Sequence, residues 1–288
     1  MSTRTGLTAM VLWLAAGLLA TRASAQQGES PIAPPALTED EASDASSDPS
    51  EERLEAWPWA VSVPLLAAAY TVELVHDPQA PVYQFVGPVD RGFEPWVVNS
   101  SRGRLRAARA SDALLVATLA MPVLDAAFHS REGGSRSRDA YRLLAGDGLA
   151  FGLQAALVTI SKSAIRRARP YNHRCDGTVD LEDCGSRSRY RGFVSGHSAS
   201  AFTAASLVCA HQRLRGRSAL GTVECVASLV LASLVGGLRI AAEKHYFADV
   251  VGGAIVGFLS GFVVPLVIYP RELPPAQPPA ERIGPRAY

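Results

Sequence analysis

Strand patterning is scarce in this 288-residue chain. Without runs that alternate apolar and polar residues, a β-sheet or α/β frame is excluded. Internal repeats are absent too, and so is a glycine-rich loop of the kind that cradles a nucleotide. Arginines are scattered and no aromatic stacking surface accompanies them, which excludes a nucleic-acid-binding face. The acids Asp176, Asp180, Glu182 and Asp183 lack the glycine and terminal glutamate of a calcium loop. Lysine is almost missing: only Lys162 and Lys244 occur among 28 basic residues.

What remains is apolar. Nearly half the residues are hydrophobic and 19% are charged, a balance that suits a large buried or membrane-facing core. The net charge of +1 hides an asymmetry, because residues 26–57 hold nine acids against the single base Arg53. With Arg4 and Arg22 in the leader, the remainder from Pro58 onward carries +7, which suits an anionic substrate or surface. Residues 1–25 read as a signal peptide, with Arg4, the apolar run Leu7–Ala20 and the small-x-small site Ala23-Ser24-Ala25. Residues 26–57 read as a disordered acidic linker and 271–288 as a disordered tail. Between them, 58–270 is an all-α domain, a helical bundle of about six helices near 58–75, 111–129, 139–167, 197–213, 219–242 and 247–269. Asp112 suits the N-terminal cap of the second, and Pro265 bends the last.

An exported chain meets an oxidising compartment. Cys175 and Cys184, nine apart in a polar loop, can pair there. Cys209 and Cys225 lie in apolar segments, where a reduced, buried thiol is the ordinary expectation. They also flank the 211–222 turn closely enough to cross-link a hairpin, and a disulfide there would favour the alternative of a periplasmic bundle over a membrane-embedded one.

Three clusters carry chemistry: Lys162-x6-Arg169-Pro170, Ser195-Gly196-His197 and Arg239-x5-His245-x3-Asp249. At this composition chance yields the first about 0.01 times and the third about 0.02 times. A neutral imidazole at His245 can attack phosphorus if its other nitrogen is held. Asp249, four residues on, shares its face if the segment turns helically. Lys162, Arg169 and Arg239 supply positive charge for phosphoryl oxygens. Ser195 and Gly196 would open a helix whose free N–H groups favour an anion, and His197 can protonate a leaving oxygen. Arg166 and Arg167 read as a solvated basic flank, His173 as a candidate for the site mouth, and His76, His129 and His211 as structural.

Together the clusters resemble the signature of the type-2 phosphatidic-acid phosphatase and vanadium haloperoxidase superfamily, over roughly residues 110–269. The resemblance implies a helical bundle and a metal-independent phosphatase with no cofactor. It makes His245 the nucleophile that forms phosphohistidine, Asp249 its partner and His197 the general acid. Lys162, Arg169, Ser195, Gly196 and Arg239 would bind phosphate. Two positions depart from the family: Val194 replaces the usual proline before Ser-Gly-His, and Leu238 the usual serine before the third-cluster arginine. The expected partners are a phosphorylated lipid (phosphatidate, isoprenyl diphosphate or a lipopolysaccharide phosphate) and the membrane of a bacterial envelope, with the site facing the periplasm. That topology lays 58–75 on the membrane and lets the other five segments cross. Two other readings are a vanadate-dependent haloperoxidase, disfavoured by the short chain, and a catalytically silent anion-binding protein, supported only by Val194 and Leu238.

Overall fold

The computed structural model describes residues 49–129, 136–175, 184–186, 188–215 and 218–269. The leader, most of the linker, the tail and the acidic loop residues Asp176, Asp180, Glu182 and Asp183 lie outside them. Seven α-helices are described: α1 (Pro49–Val75), α2 (Pro88–Gly92), α3 (Ser101–His129), α4 (Arg136–Ile165), α5 (Gly196–Leu214), α6 (Ala219–Ala241) and α7 (Phe247–Ile268). Among the described residues there is no strand, only an isolated bridge between Tyr83 and Arg167.

The six long helices are those read from the apolar runs, with two changes at their starts. α1 begins at Pro49, inside the stretch read as linker. α3 begins at Ser101 rather than near residue 111. Its first turns are built from Arg and Ala, both good helix formers, and Ser100 accepts the Gly103 amide at 3.1 Å. Asp112 is therefore not a cap but an interior residue of α3, which frees its carboxylate for another use.

α5 is the axis of the bundle. Helices α3, α4, α6 and α7 all pack on it, and its Ala, Ser and Thr residues are buried along most of its length. Small side chains let neighbours approach closely. A Cβ on Gly257 of α7 would stand 2.1 Å from the Ala199 carbonyl oxygen, and one on Gly261 2.3 Å from that of Thr203. Glycine is required along that seam because backbone lies against backbone.

Five described segments are long and apolar enough to cross a membrane: Trp57–Val75, Ser101–Ala127, Ala140–Ile165, Ala219–Ala241 and Phe247–Ile268. Their outer faces carry exposed Val230, Leu234, Ile255, Leu259 and Val263, while charged side chains such as Asp147 and Arg191 are buried inside. The polarity is inverted relative to a water-soluble bundle. α5 is not among the five; it is enclosed by the others. The reading that lays 58–75 flat on the membrane needs correction. α1 runs beside α4, with Trp59 near Gly148, Ser62 against Gly152 and Glu73 at Lys162. The long helices thus alternate in direction, so Pro49 and Ile268 lie at the end opposite Glu73 and Lys162.

Cys175 and Cys184 form a disulfide, and so do Cys209 and Cys225, whose Cα atoms are 4.7 Å apart. Buried reduced thiols at 209 and 225 are therefore not what the fold contains. The short α5–α6 connection brings the two positions level. At this end His211 is fully buried, with Nδ1 2.7 Å from Asp125 Oδ2 and Nε2 2.9 Å from Asp147 Oδ1. Arg215 also pairs with Asp125.

Candidate active site

The other end of the bundle gathers the three clusters. Ser195 precedes α5 and its Oγ accepts the Ser198 amide at 3.4 Å, while its own N–H donates to the Asp249 carbonyl at 2.9 Å. Lys162, in the last turn of α4, brings Nζ to 3.3 Å from where a Cβ on Gly196 would sit. Any side chain at 196 would crowd the ammonium out of the helix N-terminus. Arg169 follows α4 in extended conformation, and its buried Nε has no hydrogen-bond acceptor among the described residues.

Arg239, buried near the C-terminus of α6, donates from Nη1 to Asp112 Oδ1 at 3.1 Å. The same oxygen lies 2.8 Å from His197 Nε2. One carboxylate therefore orients both the expected general acid and an expected phosphate ligand. His197 is buried and lies beside Arg239; both effects hold its pKa down to about 4, against the opposing pull of Asp112.

His245 is 2% exposed, in the turn between α6 and α7. Burial first, then the charges of Arg169, Arg239 and Lys162, hold it well below its ordinary pKa, so its ring is neutral at neutral pH. Its Nδ1 is 3.5 Å from Asp249 Oδ2 and makes no hydrogen bond among the described residues. The two side chains thus meet as expected, but not along one helix, because α7 begins only at Phe247. Asp249 is instead the third residue of α7 and closes a capping box, with Oδ2 accepting the Tyr246 amide at 3.0 Å.

Asp249 Oδ1 accepts from Arg167 Nη1 at 2.6 Å, and Arg167 Nη2 donates to Asp90 Oδ2 at 2.6 Å. The guanidinium lies 4.5 Å over the Tyr246 ring. Arg167 is thus buried machinery, not the solvated flank expected of it. The αL turn at Arg166 (φ 43°) ends α4 and folds the next residue inward. Asp90 also accepts the Ala248 amide at 2.9 Å, pinning α2 to the start of α7.

Sequence reasoning missed three other groups. Glu73 Oε1 accepts from Lys162 Nζ at 3.0 Å and lies 3.1 Å from Arg191 Nη2. Arg191 is 2% exposed and donates from Nη1 to the His76 carbonyl at 2.9 Å. Glu243, two residues before His245, sits at φ 59° and is held by Arg104 at 3.4 Å and by Arg174. His173, the mouth candidate, is 68% exposed and 3.7 Å from Glu243. Of the two departures, Val194 is buried, and Leu238 packs against Ala107 and Ala108 of α3.

Residues 145–272 match the PAP2 superfamily model. A curated relative, the lipid A 1-phosphatase of Porphyromonas gingivalis, is 32% identical over 126 residues, which is 44% of this chain and 24% of the relative. The chain thus spans about a quarter of that protein's length. No solved structure matches it. The matched segment runs from within α4 to just past α7 and holds all three clusters, so it is over this part of the chain, 44% of its length, that the protein is similar to the PAP2 superfamily.

Proposed function

We propose that this protein is a phosphatase of the bacterial cell envelope that removes phosphate from a lipid by way of phosphohistidine on His245. The observation that carries this reading is the neutral, buried His245 set among Lys162, Arg169 and Arg239. The ring attacks phosphorus through Nε2 as the bond to the lipid oxygen breaks. His197 gives that oxygen its proton. The arriving phosphate dianion supplies the negative charge that lifts His197 from its low pKa for this step. His197 then takes a proton from water. The resulting hydroxide displaces His245 from phosphorus, releasing inorganic phosphate and the neutral ring. Asp112 orients His197, and Asp249, fixed by Arg167, faces Nδ1 of His245. The three cations and the α5 N-terminus stabilise phosphoryl charge, the task a metal performs elsewhere.

A lipid substrate is supported by the apolar exterior and by a site at the helix ends, where a headgroup lies. Phosphatidate, isoprenyl diphosphate and a lipopolysaccharide phosphate all fit that description. We place the site on the periplasmic side; disulfides occur at both ends of the bundle, Cys175–Cys184 here and Cys209–Cys225 opposite, and so do not themselves decide the orientation. In that orientation a crossing α1 puts Pro49 on the cytoplasmic side, so an exported residue 26 and a crossing α1 exclude each other.

The test is turnover of labelled lipid phosphate by chelator-treated protein, quenched in alkaline detergent. An acid-labile phosphoenzyme should form, and His245→Ala should abolish it. Retention of more than a small fraction of turnover by His245→Ala, or complete dependence on an added divalent ion, would overturn the mechanism.

A further inference from the structure

Lys162 and Arg191 converge on one oxygen that belongs to the protein itself. Glu73 Oε1 is 3.0 Å from the ammonium and 3.1 Å from Arg191 Nη2. The cations are the deep partners, with side chains 12% and 2% exposed, whereas Glu73 is 36% exposed and reaches in from α1. The Lys162 ammonium also stands at the N-terminus of α5, beside Gly196. A carboxylate is therefore built into the rim of the anion cradle. Asp112, the other carboxylate at the cradle, is engaged with Arg239 and His197.

We propose that Glu73 is a specificity-determining residue that restricts this site to substrates with a single phosphoryl group, phosphate monoesters rather than diphosphates. The inference rests on the phosphatase reading above. A monoester dianion meets Lys162, Arg169 and Arg239 with part of their charge already neutralised by Glu73 and Asp112. A diphosphate brings at least one further negative charge into the same pocket. Arg191 would be free to meet that charge, but Glu73 already occupies it. Glu73 also repels the added charge wherever the second phosphoryl group sits, because both lie in a partly desolvated site. Rejection by a like charge is a recognised route to selectivity.

The experiment compares kcat/KM for a lipid monophosphate and its diphosphate of the same chain length, in the same detergent. The unaltered protein should prefer the monophosphate. Glu73→Gln, which keeps the shape and removes the charge, should raise the diphosphate-to-monophosphate ratio about tenfold, equivalent to about 1.4 kcal/mol. Glu73→Asp should leave the ratio near its original value. Arg191→Gln, which removes a cation, should move the ratio the other way and gives a second reading if Glu73→Gln fails to accumulate. A merely structural Glu73 would lower both activities together, so an unmoved ratio overturns the inference while leaving the phosphatase reading intact. A reversed shift does the same. If the unaltered protein hydrolyses neither lipid, the phosphatase reading fails, and this inference with it.

Discussion

Replacing Arg167 with methionine removes one charge and leaves two carboxylates behind. Asp249 and Asp90 each lie 2.6 Å from the guanidinium, and the side chains of all three are at most 5% exposed. Breaking a buried pair by deleting one partner costs roughly 3–5 kcal/mol, because the remaining charge is desolvated and uncompensated. For a domain of this size that is a fall of about 6–20 °C in thermal midpoint. Arg106→Gln, on an exposed face of the same basic end, should stay within about 0.5 kcal/mol. The assay is thermal unfolding of detergent-extracted protein, with turnover measured in parallel. Adding Asp90→Asn to Arg167→Met removes one orphaned carboxylate, so part of the stability should return. Turnover should not, because Asp249 remains without its cation beside His245. A midpoint within 1 °C of the original (about half a kcal/mol or less) would refute the buried-clamp argument. Recovery of turnover in the double variant would refute the role assigned to Asp249.

Three further outcomes follow from other parts of the fold. Gly257→Leu should prevent folded protein from accumulating in membranes, since backbone of α5 stands where the side chain must go. Gly237→Ala meets nothing within 4 Å and should be neutral or stabilise by up to about 1 kcal/mol, so equal behaviour of the two would refute the seam. Against burial, which lowers it, Asp147 and Asp125 hold the pKa of His211 up at about 9. Its contribution is present below the unfolded value near 6.5 and is lost as pH rises through about 9, on the order of a few kcal/mol. Thermal midpoints should fall over that window in the original protein and change less in His211→Asn. Alkylation without reduction should leave Cys209 and Cys225 unlabelled; converting both to alanine should cost about 3 kcal/mol for a loop of this length. Ready labelling of either thiol would remove that bridge from the account.

The parts legible in the sequence were those written locally. Apolar runs gave six long helices because each must bury or present one continuous face. The three clusters were readable because short spacings fix which residues stand at a helix end. What escaped was written across the chain: Asp112 meets His197 over 85 positions, Arg167 meets Asp249 over 82, and Asp90 meets Ala248 over 158. No periodicity announces such pairs. Arg167 was misread because a basic residue near a helix end is usually solvated, and only the turn at Arg166 sends it inward. The early start of α3 was missed because an Arg-rich stretch reads as a loop when charge is weighed above helix propensity.

Asp249 holds two positions at once, as the capping carboxylate of α7 and as the anion nearest His245. On the proposed mechanism, the first turn of α7 and the readiness of His245 to attack are consequently one equilibrium. When that turn frays, the carboxylate leaves both tasks together, and a population of briefly opened helix ends is a population of idle enzyme. Amide exchange at Asp249 and Val250 would therefore count the resting fraction, and an anion held in the cradle should slow it.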